Sequence, residues 1–478
     1  MRQGGHRWPP AFPCTPGGSR GTRLGSYPPG IRSARMRARE IVLLVLVAFL
    51  LVLKVAPGAE KREESYANFK TFVTVLEQVK RNYVVPVDDS KLFYGAFKGM
   101  LAELDPYSQF MTREDVEQLE VDTEGEFGGL GIEITVDQNR ILTVITPLED
   151  TPAMKAGVLP GDRIVEIEGH NTYNMTLMDA VKRLRGKPGT KVTIAVVHQL
   201  TGKRETLTIT RDIIKVKSVR AARMVDPGAK VAYVRINNFQ RTTVDELTQA
   251  VKKLLADGMQ ALVLDLRRNP GGLLDSAVGV ADLFIEKGII VSTKGRSPDT
   301  SHQFDAQKEG TFPNFPLAVL VSNFSASGSE IVAGAIQDHH RGIIVGQRSY
   351  GKASVQSILS LEGGCKLRLT TARYYTPAGR LIHREIDAKE NEPWGIHPDL
   401  EVKMTMEDEL GLSEHFRDER VSESSNGAKP PKPEVQPPLE EGEIRPDVRK
   451  EGEKKEFVDT ALVRAVDALK AIMVVQKR

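Results

Sequence analysis

Four short runs between Lys230 and Gly346 are apolar almost without interruption: VAYVRI from Val231, ALVLDL from Ala261, LAVLVS from Leu317 and GIIVG from Gly342. Between them lie segments of helical pattern, namely TVDELTQAVKKLLADG at 243–258, Leu274 to Ile285, and SEIVAGAIQDH at 329–339. A strand with one wet face alternates apolar and polar side chains, so runs that are apolar at every position must be covered on both faces. The βαβα order then predicts a parallel sheet with helices packed on it. SVQSIL and KLRLTTARYY, separated by Glu362-Gly363-Gly364, read as an antiparallel hairpin added to that sheet.

The remaining chain divides by pattern. Residues 64–119 read as helical, with Phe69, Phe72, Val73, Leu76 and Val79 at helical spacing and a second apolar set from Leu92 to Leu104, interrupted at Asp105-Pro106. From Gly125 the signal changes to five β-branched runs, GIEITV, ILTVITP, DRIVEIEG, KVTIAVVH and ETLTITR, with one helix, LMDAVKRL, among them. That is a small, half-open β module of about 90 residues. Residues 417–456 are charged and Pro-rich, hence linker-like, and an amphipathic helix closes the chain. The boundaries are 1–59 leader and signal segment, 60–119 helical, 120–215 β module, 216–416 core, 417–456 linker and 457–478 C-terminal helix.

Ile41 to Leu53 is an unbroken apolar run of 13 residues. It falls short of the roughly 20 needed to span a bilayer, unless Lys54 snorkels and Val55–Ala59 extend it. Residues 1–40 carry eight Arg against one Glu, a positive region that keeps its side in the cytoplasm. The chain after residue 59 is therefore expected outside, either anchored or released by cleavage. Met36 opens a compact positive region by itself, so translation is expected to begin there. Beyond residue 40 there are 58 basic and 62 acidic side chains. Without a basic face, nucleic-acid binding is excluded as the main business. Cys14 and Cys365 cannot build a disulfide framework or a cysteine zinc site.

The densest set of small polar residues is Ser325-Ala326-Ser327-Gly328-Ser329-Glu330, after the run Leu317–Val321 and before a helical segment. A serine at a strand-to-helix turn exposes its hydroxyl near free backbone N–H groups, as a nucleophile with an oxyanion hole requires. The plainer alternative is a helix N-cap. No G-x-S-x-G is present. His339 and His340 fall at the far end of the same helix, where histidines complement the helix dipole. Lys352 can act as a base only if burial lowers its pKa by several units; otherwise it is a solvated surface charge. Gly346–Lys352 also spells G-x-x-x-x-G-K, but Ala353 lacks the hydroxyl a P-loop needs, and strand rather than helix follows. Gly271-Gly272, after ALVLDLRRNP, allow close backbone approach and free N–H donors, or simply a tight turn. In the β module, Gly129-Leu130-Gly131-Ile132 offers N–H groups to a terminal carboxylate beside a strand edge.

These residues, taken in order, resemble a known family. The module, with Gly128–Ile132, Pro152–Gly157, Gly161–Ile164 and Ile167–Gly169, resembles a PDZ domain. The span from Tyr66 to Asp399 is similar to the carboxyl-terminal processing proteases, bacterial serine peptidases with a Ser-Lys dyad. The carrying residues are Leu104-Asp105-Pro106-Tyr107-Ser108, LDLRRNPGG, SASGSEIVAGAIQDHHRGIIVG, YGKASVQ and LTTARYYTPAGR. The resemblance implies Ser327 as nucleophile and Lys352, 25 residues on, as its base. It also implies Gln356 as the residue positioning that lysine, and Asp338 as an aspartate sometimes grouped with them. Gly328 stands where alanine is commoner. Oxyanion donors would be Gly328 with Gly271 or Gly272, and Gly129, Leu130, Gly131 and Ile132 would bind substrate. The expected fold is α+β and multidomain: a helical N-terminal segment, an inserted PDZ domain and an α/β catalytic core with a mixed sheet. The expected function is cleavage of exported proteins near their C-termini at the periplasmic side of a bacterial envelope, with no metal or nucleotide cofactor. Partners would be substrates with a free C-terminus, the membrane, and a further copy or an activating adaptor. The competing readings are a membrane-anchored PDZ adaptor without catalysis, and a P-loop NTPase.

Overall fold

The main sheet runs in the order Val219–Asp226, Val231–Ile236, Ala261–Asp265, Leu317–Val321, Ile343–Gly346 and Leu400–Glu401. Its first ladder is antiparallel and the four that follow are parallel. The computed structural model describes residues 57–424 and 457–476, other than Gln138, Asn139, Glu149, Leu200, Ile386 and Glu390. The leader, the apolar run Ile41–Leu53 and residues 425–456 of the linker lie outside them.

The unbroken apolar runs have the expected cause. Ala232, Val234, Ile236, Leu262, Leu264, Val319 and Val321 pack under the helices Thr243–Ala256, Leu274–Asp282 and Gly328–Asp338. The intervening Val231, Tyr233, Val263, Ala318 and Leu320 pack under Ala461, Ala465, Val466 and Leu469 of the helix Thr460–Gln476. Successive side chains point to opposite faces, so each face needs its own cover, and the C-terminal helix supplies the second.

That helix is pinned by charge as well as by apolar contact. The Arg267 guanidinium, wholly buried, donates to Asp265 Oδ2 at 2.7 Å and to Asp459 Oδ1 and Oδ2 at 2.7 and 2.6 Å. Tyr233 Oη donates to Asp265 at 2.8 Å.

Two expectations are corrected. The hairpin forms, but not on the parallel sheet. Ser354–Ser360 and Lys366–Tyr375 pair antiparallel in a separate five-stranded sheet with Gln109–Met111, Ile289–Gly295 and Gln303–Asp305. The reason is that Lys366–Tyr375 has two other suitors, Ile289–Gly295 on one stretch and Gln109–Met111 on another. Both are too short or too mixed to stand out by pattern. The linker-like composition from Arg417 also misleads, because the helix Met406–Ser424 runs on through it. There Glu419 pairs with Arg223 and Arg235 at 2.9 and 3.0 Å, and Arg235 stacks on Phe416.

The β module keeps its five strands, ordered Ile132–Val136, Leu142–Pro147, Arg163–Ile167, Lys191–Val197 and Arg204–Thr210, around Leu142, Val144, Ile164, Ile194 and Val196. Its incoming and outgoing strands, Glu126–Gly129 and Asp212–Lys215, pair with each other, so the whole module leaves and rejoins the core at one point. In the N-terminal unit, which ends at Leu92, the helix Pro57–Asn82 is tied by Lys80 to Asp89 at 2.7 Å. Among the described residues no helix is long and apolar enough to cross a membrane.

Burial raises the Asp459 carboxyl, but the hydrogen bonds and charge of Arg267 outweigh it and hold it below the usual range. Asp459→Ala leaves the buried guanidinium half-partnered and should cost about 3 kcal/mol of stability in a denaturant titration. A lowered carboxyl stabilises above its unfolded pKa and loses that contribution as pH falls through its folded value. The difference between wild type and variant should therefore shrink in acid.

Candidate active site

Ser327 ends the loop after Leu317–Val321 and stands at the N-cap of the helix Gly328–Asp338. Both sequence readings of this serine thus meet at one position, but its backbone separates them. An ordinary N-cap is extended, whereas Ser327 has φ 54° and ψ −112°, a conformation residues with a Cβ avoid. Such strain persists only where the surroundings over-determine it. Here they do: Ala326 N and Ser329 Oγ both donate to Asn269 O at 3.0 and 2.9 Å, Ser325 Oγ donates to Leu266 O at 2.7 Å, and Tyr350 N donates to Ser325 O at 3.0 Å.

The Glu330 carboxylate, fully buried, joins this turn to the lysine segment. Its Oε2 accepts from Ser327 N and from Lys352 N, each at 2.8 Å, so those two nitrogens lie within twice that distance. Its Oε1 accepts from Ser349 Oγ and Gly351 N, each at 2.6 Å. Burial pushes the Glu330 carboxyl up, and the four donors oppose that. On the other side, the Tyr374 hydroxyl reaches the Ser327 carbonyl at 3.0 Å and also the Lys352 carbonyl. Serine and lysine peptides are therefore stapled together twice.

The Lys352 side chain is half-buried. Desolvation lowers its pKa, the Arg368 charge lowers it further, and Glu330 and Asp105 oppose the shift. This is the direction a lysine base needs. Among the described residues its amine makes no hydrogen bond to Ser327; it rests 4.5 Å from the centre of the Tyr107 ring.

Gly271 approaches the serine more closely than a residue with a Cβ could. A Cβ there would lie 2.7 Å from Ser327 Cβ and 3.0 Å from Gly328 N, and its φ is +104°. Its own N–H donates to Asn269 Oδ1 at 2.9 Å. Among the described residues the N–H groups of Gly272 and Gly328 have no acceptor. Glycine at 328 has a local reason, since a Cβ there would come within 2.8 Å of Phe239 Cδ2.

Other candidates are not brought to this point. Gln356 Nε2 donates to Ser354 Oγ and Thr370 Oγ1 at 2.8 and 3.4 Å, and among the described residues it has no hydrogen bond to Lys352. Asp338 lies at the opposite end of the 11-residue helix, about 15 Å away at 1.5 Å per residue, where it holds Ala378 N and Arg380. His339 shares that far end and bonds the Ile289 carbonyl at 2.7 Å. No phosphate cradle exists at 346–352: the N–H groups of Gln347, Ser349, Tyr350 and Gly351 are spent on Val321, Ile396, Ser325 and Glu330. Sequence reasoning passed over Glu330, Tyr374 and Tyr107. A Ser-x-x-Glu capping pattern ahead of an apolar run was visible for Glu330; the two tyrosines lie in LDPYS and LTTARYYTPAGR, whose local pattern gives them no role.

In the β module, Gly129, Leu130, Gly131 and Ile132 border a cavity of about 70 Å³ walled by Phe127, Ile134, Val181 and Leu184. The Arg185 guanidinium sits 4.4 Å over the Phe127 ring at its rim.

Comparison with known proteins identifies the domains. Residues 230–402 match the model of peptidase family S41, 143–197 that of the PDZ domain, and 52–115 that described as the activating protease CtpB N-terminal domain. The chain is a serine-type peptidase with an S41 catalytic domain and a PDZ domain, and neither the adaptor nor the P-loop reading survives. It is 39% identical over 421 residues to a carboxy-terminal-processing protease of Bartonella bacilliformis, covering 83% of this chain and 94% of that protein. It is 34% identical over 366 residues to a probable CtpA-like serine protease of Staphylococcus epidermidis, covering 75% and 70%. Among solved structures, the photosystem II D1 C-terminal processing protease shares 32% identity at a TM-score of 0.40, covering 70% of this chain and 86% of that one. The chain belongs to the carboxyl-terminal processing proteases.

Glu330→Gln should show what the central carboxylate does. An amide must turn its NH₂ toward one of the two donor pairs, leaving buried donors facing a donor, at a cost of about 3 kcal/mol. Thermal denaturation should register that loss, and cleavage should fall by more than the folded fraction does.

Proposed function

We propose that Ser327 is the nucleophile and Lys352 its general base in cleavage of peptide bonds near the C-termini of exported proteins. The observation that carries this reading is the shared Glu330 Oε2, which holds the two backbones side by side. In the reaction, the neutral Lys352 amine takes the Ser327 proton as Oγ attacks the carbonyl and later returns it to the leaving amine. Gly328 and Gly272 N–H, both without an acceptor among the described residues, stabilise the oxyanion, with Gly271 giving the clearance for its approach. Gln356 acts on the lysine at one remove, by fixing the strand that begins just after it. Asp338 contributes to the fold of the 376–380 turn rather than to the chemistry.

In the same reading, the PDZ groove at Gly129–Ile132 takes the substrate's terminal carboxylate. Its 70 Å³ cavity takes a small apolar last side chain. The protein works outside the cytoplasm, anchored or exported through Ile41–Leu53; the arginines before that run support the orientation.

Ser327→Ala and Lys352→Ala should each reduce kcat/KM on a peptide by several orders of magnitude, and the double variant should lose no more than either alone. Because the base must be neutral, the wild-type rate should rise with pH through the lowered lysine pKa. Substantial cleavage by Lys352→Ala at neutral pH would sink the dyad. A second test concerns the groove. Amidating a peptide's C-terminus should slow its cleavage well below saturation, while equal rates for acid and amide would remove the carboxylate-reading role.

A further inference from the structure

The loop Leu104–Ser108 is part of the family likeness, yet the chemistry above leaves it without a task. Its construction is specific. Asp105 Oδ1 accepts from Tyr107 N at 2.7 Å and Ser108 N at 2.8 Å, and Asp105 Oδ2 accepts from Ser108 Oγ at 2.8 Å. Thr370 N then donates to Ser108 Oγ at 3.1 Å, which fastens the loop to strand Lys366–Tyr375. The same Thr370 takes the Gln356 amide at 3.4 Å. This clamp brings the Tyr107 ring to the site, its centre 4.5 Å from Lys352 Nζ.

We propose that Tyr107 is a positioning residue for Lys352, its ring holding the ammonium in a resting place from which it must be released before it can act on Ser327. A π face attracts a cation and has little hold on a neutral amine, so the ring competes with the serine for the same group. The inference rests on the Ser-Lys reading given above. The other charged and titratable groups around Lys352 are Arg368 from strand Lys366–Tyr375, Glu330 from the serine helix and Asp105 from the loop itself. Tyr350 faces the Tyr107 hydroxyl, and Tyr374 stands beside Glu330. His383 Nδ1 accepts from the adjoining Ala353 N at 3.4 Å. Arg368 repels the ammonium and two carboxylates attract it; Tyr107 is the group placed to add attraction without charge. Two effects of the ring oppose each other: its π face favours the charged amine, whereas its bulk excludes water and disfavours it. Substitutions can separate them.

The test is the second-order rate of Ser327 labelling by a fluorophosphonate, followed from neutral to alkaline pH on the full chain. Tyr107→Leu keeps an apolar cover without a π face. Its midpoint should move down by about half to one pH unit, with labelling at neutral pH about three- to tenfold faster. Tyr107→Phe, which retains the ring, should restore the wild-type profile. Tyr107→Ala removes cover and π face together, so its midpoint should lie above that of Tyr107→Leu. Ser108→Ala, which loosens the clamp and leaves the ring intact, should shift in the same direction as Tyr107→Leu by less. A Tyr107→Leu midpoint at or above wild type, or a Tyr107→Phe profile like that of Leu, overturns the proposal. Should the Leu variant fail to fold, an unshifted Ser108→Ala profile does the same. Lys352→Ala in parallel separates the two readings. Wild-type labelling by that variant brings down the dyad and this inference together, whereas loss of labelling with an unshifted Tyr107→Leu profile refutes only the role of Tyr107.

Discussion

A carboxylate without solvent and with four donors organises this protein's candidate active site. Burying Glu330 would be costly by itself, and the cost is offset only because Ser327 N, Lys352 N, Gly351 N and Ser349 Oγ all converge on it. Those donors come from two segments that meet only in the folded chain. The requirement to satisfy one buried charge therefore doubles as the requirement to place the serine next to the lysine. Tyr374 repeats the arrangement with opposite polarity, its hydroxyl lying between the two carbonyls. A strained φ at Ser327 is sustained by this double attachment and by the loop at 266–272, not by any preference of serine itself.

The sheet explains why these loops are neighbours at all. Ala261–Asp265, Leu317–Val321 and Ile343–Gly346 are adjacent parallel strands, so the loops leaving their carboxyl ends emerge side by side. The first carries Gly271 and Gly272, the second Ser327, and the third Lys352. This is where parallel α/β sheets place their ligand sites, because short connections bring loops of different strands to one edge. The chain then enters the antiparallel sheet, whose strand Lys366–Tyr375 brings Arg368, Thr370 and Tyr374 back to the same edge. Through Gln109–Met111, the segment before the PDZ domain joins that second sheet too, which is how Tyr107 comes to lie over the lysine.

Much of this was legible beforehand where the signal was local. Unbroken apolar runs between helical segments announce a doubly covered sheet, and alternating runs between glycines announce the PDZ module. The SASGSE turn and the YGKASVQ run stand out because each packs several unusual residues into a few positions. The hairpin was legible, but its sheet was not, since a strand's pattern states how its faces are covered and says nothing of which edge it pairs with. The helical end of 406–424 is hidden for a related reason: the charge of Glu419 looks solvated until Arg223 and Arg235 supply its partners.

Strand periodicity, the two glycines after ALVLDLRRNP and the spacing of Ser327 from Lys352 belong to the sequence alone, because each depends on neighbours along the chain. The tertiary structure decided which polar groups would answer one another. It joined Glu330 to a peptide 22 residues away, bonded Gly271 N–H to Asn269, left Gly272 N–H without an acceptor among the described residues, and set Asp338 at the far end of its helix. It also laid Tyr107 against Lys352 across the whole PDZ insertion. A buried donor, acceptor or cation can be satisfied by any partner that packing brings within about 3 Å, and distance along the chain does not constrain that choice.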